Sequence, residues 1–113
     1  MVGLNQVGLF LSLAKDYVGK DRFMFIPHRQ NVEYMASVGM SMYDLKSVIL
    51  SLDESDCFGG PEPDRDDGYD EWTVAKFSPE YEGDRLYLKI SVKVTAERCK
   101  CLSVKLLNDG MGD

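Results

Sequence analysis

The stretch RLYLKISVKV, residues 85–94, decides the fold because apolar and polar side chains alternate along its whole length. Leu86, Leu88, Ile90, Val92 and Val94 project to one side, and the residues between them project to the other. This period of two predicts a β-strand with one face in the core and the other in water.

Two flanking stretches predict further strands. EWTVAKFSP (71–79) precedes the alternating strand, and KCLSVKLL (100–107) follows it. The turn-forming runs EYEGD and TAER lie between them and predict hairpins. In the last strand, Leu102, Val104 and Leu106 are predicted on the core side, with Cys101, Ser103 and Lys105 on the opposite side. RFMFIP (22–27) predicts a short strand or an extended link ended by a proline.

Helical patterns fill the first half of the chain. Apolar residues recur at helical spacing over residues 3–18 and predict an amphipathic helix. Asn31 is a candidate N-cap for a short helix that Gly39 ends. Ser41 and Asp44 resemble a capping box at the start of a third helix.

The order of these elements predicts one α+β domain over residues 1–113, with N-terminal helices packed on one face of a C-terminal antiparallel sheet. Residues 1–52 are predicted to be mainly helical, 53–71 an acidic loop, 72–107 antiparallel strands and 108–113 a flexible tail.

Opposite charges occupy neighbouring parts of the chain, whose formal net charge is −6. Residues 53–71 contain nine acidic residues and one basic residue, whereas residues 85–107 contain six basic residues and one acidic residue. The local charge of a surface decides where a phosphate backbone can bind. The negative net charge of the whole chain therefore does not exclude a nucleic-acid ligand on the basic strands.

The acidic stretch GGPEPDRDDGYDEW, residues 59–72, invites a metal-site interpretation but lacks the required spacing. An EF-hand loop needs Gly at position 6 and Glu at position 12. Counting from Glu62, those positions hold Asp67 and Thr73, and the register from Asp64 fails as well. The three cysteines and the single histidine do not form a zinc pattern. We predict no metal and no cofactor.

The polar faces of the last two strands carry the candidate chemistry. Lysines can hold phosphates, a tyrosine ring can stack on a base, and RNA supplies its own 2′-hydroxyl nucleophile. Cleavage then needs proton transfer and cations for the developing phosphorane charge. The alternative is an ordinary solvated sheet face. The candidate catalytic residues are Tyr87, Lys89 and Lys105, and the candidate RNA-binding residues are Lys93 and Ser103.

PHRQN adds a second candidate pair just before a predicted helix. His28 offers an imidazole for acid–base chemistry, and Arg29 offers a guanidinium for phosphate binding. The alternative is an ordinary surface loop. Cys99 and Cys101 are expected to be packing residues rather than nucleophiles, because no histidine is near them in sequence.

Several motifs together resemble one family. VGMSMYDLKSVILSLDESD (38–56), GPEPDRD (60–66), Trp72, GDRLYLKISV (83–92) and LSVK (102–105) occur in an order similar to that of the MqsR family of bacterial toxins. FIPHRQN (25–31) resembles the entry segment of the Gram-positive branch of that family.

The resemblance implies a RelE-like fold, a ribosome-independent endoribonuclease that cuts mRNA without a metal, and a cognate antitoxin as partner. The family's tyrosine falls on Tyr87, and two of its lysines fall on Lys89 and Lys105. Two positions depart from the family pattern: Gly59 stands where a lysine is expected, and Thr73 where a glutamine is expected.

The hypotheses from sequence are therefore an endoribonuclease toxin, a non-catalytic protein and a metal-binding protein. The non-catalytic protein would be an inhibitor, from a phage or mobile element, that uses the acidic segment against a basic partner. The metal-binding protein would use the same acidic loop.

Cysteine content and hydropathy indicate the cellular compartment in which the protein is expected. An odd cysteine count suggests a reducing cytoplasm rather than a disulfide framework. No run of 18 apolar residues is present, so no membrane span is predicted. The apolar N-terminus lacks a basic start and a small-residue cleavage site, so we expect structure there rather than a signal peptide.

Overall fold

Helices precede strands along the chain, as the sequence predicts. The computed structural model describes residues 3–64 and 71–107, with side chains from residue 6 onward. The elements within these ranges are α1 (Gly3–Gly19), β1 (Phe23–Phe25), α2 (Arg29–Val38), α3 (Met42–Leu50), β2 (Cys57–Pro63), β3 (Thr73–Phe77), β4 (Glu80–Tyr81), β5 (Asp84–Lys93) and β6 (Arg98–Leu106).

Five strands form the main sheet in the order β1-β6-β5-β3-β2, and the short β4 pairs with β5. Strand β1 runs parallel to β6, whereas the other pairs are antiparallel. The predicted α+β class is therefore confirmed. The stretch 22–27, for which the sequence left two options, contains a strand at its centre.

The core lies between the three helices and one face of the sheet. Leu86, Leu88, Ile90 and Val92 are buried, which confirms the alternation predicted for residues 86–92. Val94 is the exception, because it lies past the end of β5 in a 3₁₀ turn and is 55% exposed, so its predicted place on the core side is wrong. The ring centroids of Phe10 and Phe77 lie 6.0 Å apart and join α1 to β3. Burial of apolar side chains in this core is favourable because it removes their surface from water.

The alternation predicted for β6 is wrong at Cys101. The pairing shifts between Lys89↔Ser103 and Ile90↔Cys101, so Leu102 is an extra residue in this strand. Such a bulge changes the face on which the following side chains lie. Cys101 therefore points into the core beside Cys99, and both are fully buried. Ser103 and Lys105 remain on the predicted polar side.

The predicted acidic loop also contains regular structure. A 3₁₀ turn covers Glu54–Asp56, and Cys57–Pro63 forms the edge strand β2. Gly59, Gly60 and Pro61 have weak strand propensity, but pairing with β3 supplies the ladder hydrogen bonds. Residues 65–70 of this predicted loop, and the predicted flexible tail 108–113, lie outside the described residues.

Two helix ends follow the prediction and one does not. Ser41 and Asp44 form the reciprocal capping box, and Gly39 ends α2 in a left-handed conformation at φ 69°. The residue that caps α2 is His28, not Asn31, and its side chain makes no capping hydrogen bond. Asn31 lies inside the first turn, where its side chain bonds to β6 instead.

Within the described ranges, no helix is both long enough and apolar enough to cross a bilayer.

Candidate functional site on the outer sheet face

The face of the sheet opposite the core, here called the outer face, carries most of the predicted site. In β5 the residues that alternate with the buried apolar side chains point to this side. The antiparallel register aligns them with residues of β3 and β6. Its basic side chains come from three adjacent strands: Lys76, Lys89, Lys93, Arg98, Lys100 and Lys105. One sheet face therefore concentrates positive charge in an acidic protein.

Tyr87 and Lys105 are direct cross-strand partners at one end of the outer face. The Lys105 ammonium lies 5.0 Å from the centroid of the Tyr87 ring. Cations are attracted to the negative face of an aromatic ring, so this contact holds the lysine beside the phenol. The structure thus places two of the predicted catalytic residues in direct contact.

Lys89 lies two residues along β5 from Tyr87, about 7 Å away at the usual rise of a strand, and its cross-strand partner is Ser103. The hydroxyl of Ser103 and the two lysines therefore lie on the same side of the sheet as the Tyr87 phenol. Tyr87, Lys89, Ser103 and Lys105 form a compact group, called the Tyr87 cluster below.

Phe58 borders this cluster, and the sequence analysis missed it. Its ring lies edge-on to Tyr87, with 5.8 Å between the ring centroids, and half of the residue is exposed. The segment was predicted as a loop, so neither β2 nor the position of Phe58 on the outer face was expected. The hint in the sequence was an aromatic residue followed by two glycines.

His28 and Arg29 lie at the margin of the site rather than within the Tyr87 cluster. Arg29 forms an exposed ion pair of 2.8 Å with Glu33 and lines a groove that also includes Lys105. Among the described residues, no hydrogen bond or ion pair joins the His28 imidazole to the cluster. His28 instead contributes its backbone, whose carbonyl accepts a hydrogen bond from the Val32 amide.

Lys93 is at the other end of β5 and is paired with Arg98. It lies six positions along the strand from Tyr87, which corresponds to about 20 Å. Lys93 shares the outer face with the Tyr87 cluster but does not take part in it.

An aromatic residue covers the middle of the outer face. Trp72 is 9% exposed, and the Lys100 ammonium lies 4.1 Å from its ring centroid. Ser91 is fully buried, and its hydroxyl has no hydrogen-bond partner among the described residues. The buried Asp64 adjoins this region, because its amide donates to the Trp72 carbonyl. Among the described residues, the middle of the outer face is therefore covered, whereas the end that holds the Tyr87 cluster has partly exposed side chains.

Some carboxylates of the acidic segment have internal roles. Asp53 accepts hydrogen bonds from the amide and hydroxyl of Ser55, and these bonds hold the pKa of Asp53 below its usual value. Asp56 accepts from the Asp53 amide, which completes a second capping box. Within residues 3–64 and 71–107, no three Asp, Glu, His or Cys side chains converge as metal ligands.

Cys99 and Cys101 are packing residues, as the sequence predicts. Burial raises the pKa of both thiols from the ordinary value of 9.0 to about 12. Both thiols are therefore protonated at neutral pH, and neither is exposed. This combination is the opposite of what a nucleophilic cysteine requires.

No protein-family model, curated protein or solved structure matches the chain. The resemblance to MqsR toxins therefore depends on the motifs in the sequence. The structure locates the two departures from those motifs. Gly59 lies on β2 directly opposite Lys76, so a different lysine occupies this part of the outer face. Thr73 pairs with Val92 and lines an apolar pocket with Phe10, away from the Tyr87 cluster.

Proposed function

We propose that this protein is a metal-independent endoribonuclease that cleaves single-stranded mRNA through attack by the RNA 2′-hydroxyl. The observation that carries the proposal is the Tyr87 cluster, in which a phenol, two ammonium groups and a serine hydroxyl share one open end of a sheet face. These groups are of the types that this reaction needs from a protein.

The proposed reaction is an in-line displacement at phosphorus. The 2′-oxygen loses its proton and forms a bond to phosphorus, while the bond from phosphorus to the 5′-oxygen breaks. The 5′-oxygen gains a proton and leaves as a hydroxyl, so the products end in a 2′,3′-cyclic phosphate and a 5′-hydroxyl. Water and redox partners take no part in this step.

Each member of the Tyr87 cluster has a role that matches its chemistry. The Tyr87 hydroxyl donates its proton to the leaving 5′-oxygen and takes up the proton released by the 2′-hydroxyl, so the phenol is restored after each cleavage. Lys89 and Lys105 stabilise the charge that develops on the phosphorane, and Ser103 donates a hydrogen bond to a phosphate oxygen. Preorganised charges of this kind commonly contribute most to the rate.

Arg29 and Lys93 would act on the RNA outside the scissile bond. Arg29 shares the groove beside Lys105, so a strand leaving the Tyr87 cluster would pass its guanidinium. Lys93 would meet a phosphate several nucleotides away, because it lies at the far end of β5. His28 lies beyond the cluster, and its proposed role in proton transfer is the part of the site with the least geometric support.

The biological role proposed here is that of a cytoplasmic toxin held inactive by a cognate antitoxin protein. Support comes from the motif resemblance together with the position of the matched residues Tyr87, Lys89 and Lys105. An antitoxin that covers the Tyr87 cluster, or holds RNA away from it, would neutralise the toxin.

Cleavage without a divalent ion is the direct test. Purified protein should cut a single-stranded RNA in EDTA and leave 2′,3′-cyclic phosphate ends. Lys89→Ala and Lys105→Ala should each slow cleavage at least tenfold, because each removes a charge-assisted hydrogen bond of about 1.5–3 kcal/mol. Lys46→Ala is the matched control, since Lys46 pairs with Asp21 on the helical side of the molecule. If a clean preparation of the wild-type protein shows no cleavage beyond that of a Lys89→Ala/Lys105→Ala double variant, the proposal is wrong.

The inhibitor hypothesis remains the main alternative. Among the described carboxylates of residues 53–64, Asp53 and Asp56 cap a turn and Asp64 is buried, whereas Glu54 and Glu62 are exposed. Recovery of a basic nuclease or repressor as the cellular partner, with no RNA cleavage in EDTA, would favour it.

A further inference from the structure

We propose that Lys76 and Lys89 form a phosphate-binding subsite on the outer face, adjacent to the Tyr87 cluster. Its ligand would be a phosphodiester of a single-stranded nucleic acid next to the scissile one. For that ligand the inference rests on the proposed function, and it adds Lys76 as an RNA-binding residue that the sequence did not indicate.

The register of the sheet places the two lysines side by side. Lys76 on β3 is the direct cross-strand partner of Lys89 on β5, and Lys89 in turn is opposite Ser103 on β6. Adjacent strands are about 4.8 Å apart, so two ammonium groups and a hydroxyl line up across three strands within about 10 Å. A phosphate placed between Lys76 and Lys89 can receive hydrogen bonds from both ammonium groups, and Lys89 is then shared between this phosphate and the scissile one beside Ser103 and Lys105.

Charge balance also favours an external anion. Like charges directly opposite each other destabilise a sheet, and this chain has 19 acidic residues against 13 basic ones from which to supply a counterion. Within residues 6–64 and 71–107, neither Lys76 nor Lys89 makes an ion pair or a side-chain hydrogen bond. Both are only partly exposed, which limits the relief that water can provide. A bound phosphate would remove this repulsion.

Gly59 positions the first lysine. It is the cross-strand partner of Lys76 on the side away from Lys89, and a β-carbon at Gly59 would lie 3.3 Å from the Lys76 Cδ. The stem of Lys76 therefore packs over the glycine backbone. A larger residue at position 59 would push this stem away, so we identify Gly59 as a positioning residue for the subsite.

Binding can be measured separately from cleavage with a single-stranded 2′-O-methyl RNA oligonucleotide, which lacks the attacking hydroxyl. Lys76→Met keeps the stem and removes the charge. It should weaken binding about tenfold and reduce the slope of log K against log salt by about 0.7, the value for one phosphate contact on a single strand. Lys20→Met is the matched control, because Lys20 is an exposed lysine at the end of α1 that pairs with Asp16.

A second measurement does not depend on any variant. In the wild-type protein, the side-chain Cε–Hε NMR signals of Lys76 and Lys89 should shift together during the titration and give one Kd, whereas that of Lys20 should stay in place. Equal affinities for Lys76→Met and Lys20→Met, with a static Lys76 signal, would overturn the subsite.

The two proposals fail in different ways. Coupled shifts of Lys76 and Lys89 with no cleavage of unmodified RNA would support the subsite and remove the endoribonuclease. Cleavage by wild-type protein that Lys76→Met leaves unchanged, together with unchanged binding, would remove the subsite and leave the endoribonuclease in place.

Discussion

The Val104 amide donates a hydrogen bond of 3.1 Å to the Asn31 side-chain oxygen, and this contact joins α2 to the edge of β6. The Asn31 amide group also donates to the carbonyls of Ile26 and Leu102, at 2.9 Å and 3.0 Å. Strand β1 pairs with β6 only as far as Cys101. The Asn31 side chain therefore takes over the strand-edge hydrogen bonds where β1 ends.

Replacement of Asn31 should be strongly destabilising. Asn31 is 2% exposed, so Asn31→Ala would leave three backbone groups without partners in a region that excludes water. We expect a loss of about 3 kcal/mol in the free energy of unfolding, since each unsatisfied buried group costs about 1–3 kcal/mol. Urea denaturation measures this loss. Gln30→Ala, at the preceding position of the same helix, is the control and should change the free energy of unfolding by less than about 0.5 kcal/mol.

Gly60 should tolerate a side chain much less well than Gly39, although both have positive φ values of 79° and 69°. A β-carbon at Gly60 would lie 2.5 Å from the Val74 carbonyl oxygen, whereas at Gly39 it would meet nothing within 4 Å. Gly39→Ala should cost about 1 kcal/mol from the backbone conformation alone. Gly60→Ala should cost about 2 kcal/mol more from overpacking. Similar urea midpoints for the two variants would contradict the close approach of β2 to β3.

Elements with a local sequence pattern could be predicted, whereas elements that depend on distant residues could not. The alternation of 85–94 predicts β5, and the Ser41–Asp44 spacing predicts a capping box, because both signals are local. Asn31 is a good N-cap by residue type, but its amide bonds a strand that lies about 70 residues further along the chain. The bulge at Leu102 and the strand β2 depend on pairing with neighbours, and no local pattern encodes them.

The candidate site shows the same limit. Tyr87 and Lys89 follow from one strand's alternation, and the pairing of Tyr87 with Lys105 requires only that two predicted strands be neighbours. Phe58 and Lys76 reach the site through β2 and β3, whose register depends on a glycine-rich strand. The place of such residues in the site cannot be predicted before the strand pairing is known.

The three cysteines should react differently with a thiol reagent at pH 8. Cys57 is partly exposed, whereas Cys99 and Cys101 are buried with thiol pKa values of about 12. We expect one thiol per chain to react in native protein and three in denaturant, counted by absorbance with an aromatic disulfide reagent. Rapid reaction of two or three thiols without denaturant would show that β6 opens easily.

The same thiols should make stability decrease at high pH. Burial raises the pKa of Cys99 and Cys101 above the value of 9.0 that applies when they are exposed. Between about pH 9 and pH 12, the unfolded chain therefore binds fewer protons than the native protein, so the free energy of unfolding falls as pH rises. The contribution is complete below pH 9. Urea midpoints at pH 8, 10 and 11 measure the slope. A Cys99→Ala/Cys101→Ala variant should make it shallower, and burial also raises the pKa of Tyr17 and Tyr34, so part of the slope should remain.

Tyr87 and Phe58 should separate proton transfer from base stacking. Tyr87→Phe keeps the ring and removes the hydroxyl that we assign to proton transfer, so kcat should fall about 10²- to 10⁴-fold while RNA affinity changes little. Phe58→Ala removes an exposed ring next to Tyr87 and should weaken RNA binding by about 1–3 kcal/mol, the usual worth of one stacked base. Single-turnover cleavage and anisotropy titrations measure the two effects.

Leu9→Ala is the control for the second variant, because Leu9 is 63% exposed on α1, on the other side of the sheet. The opposite pattern would be informative about the roles. If Phe58→Ala lowered kcat without changing affinity, the ring would act by holding Tyr87 in place rather than by stacking on RNA. If Tyr87→Phe retained full activity, the phenol could not be the proton-transfer group, and His28, on the margin of the site, would become the candidate to test by His28→Gln.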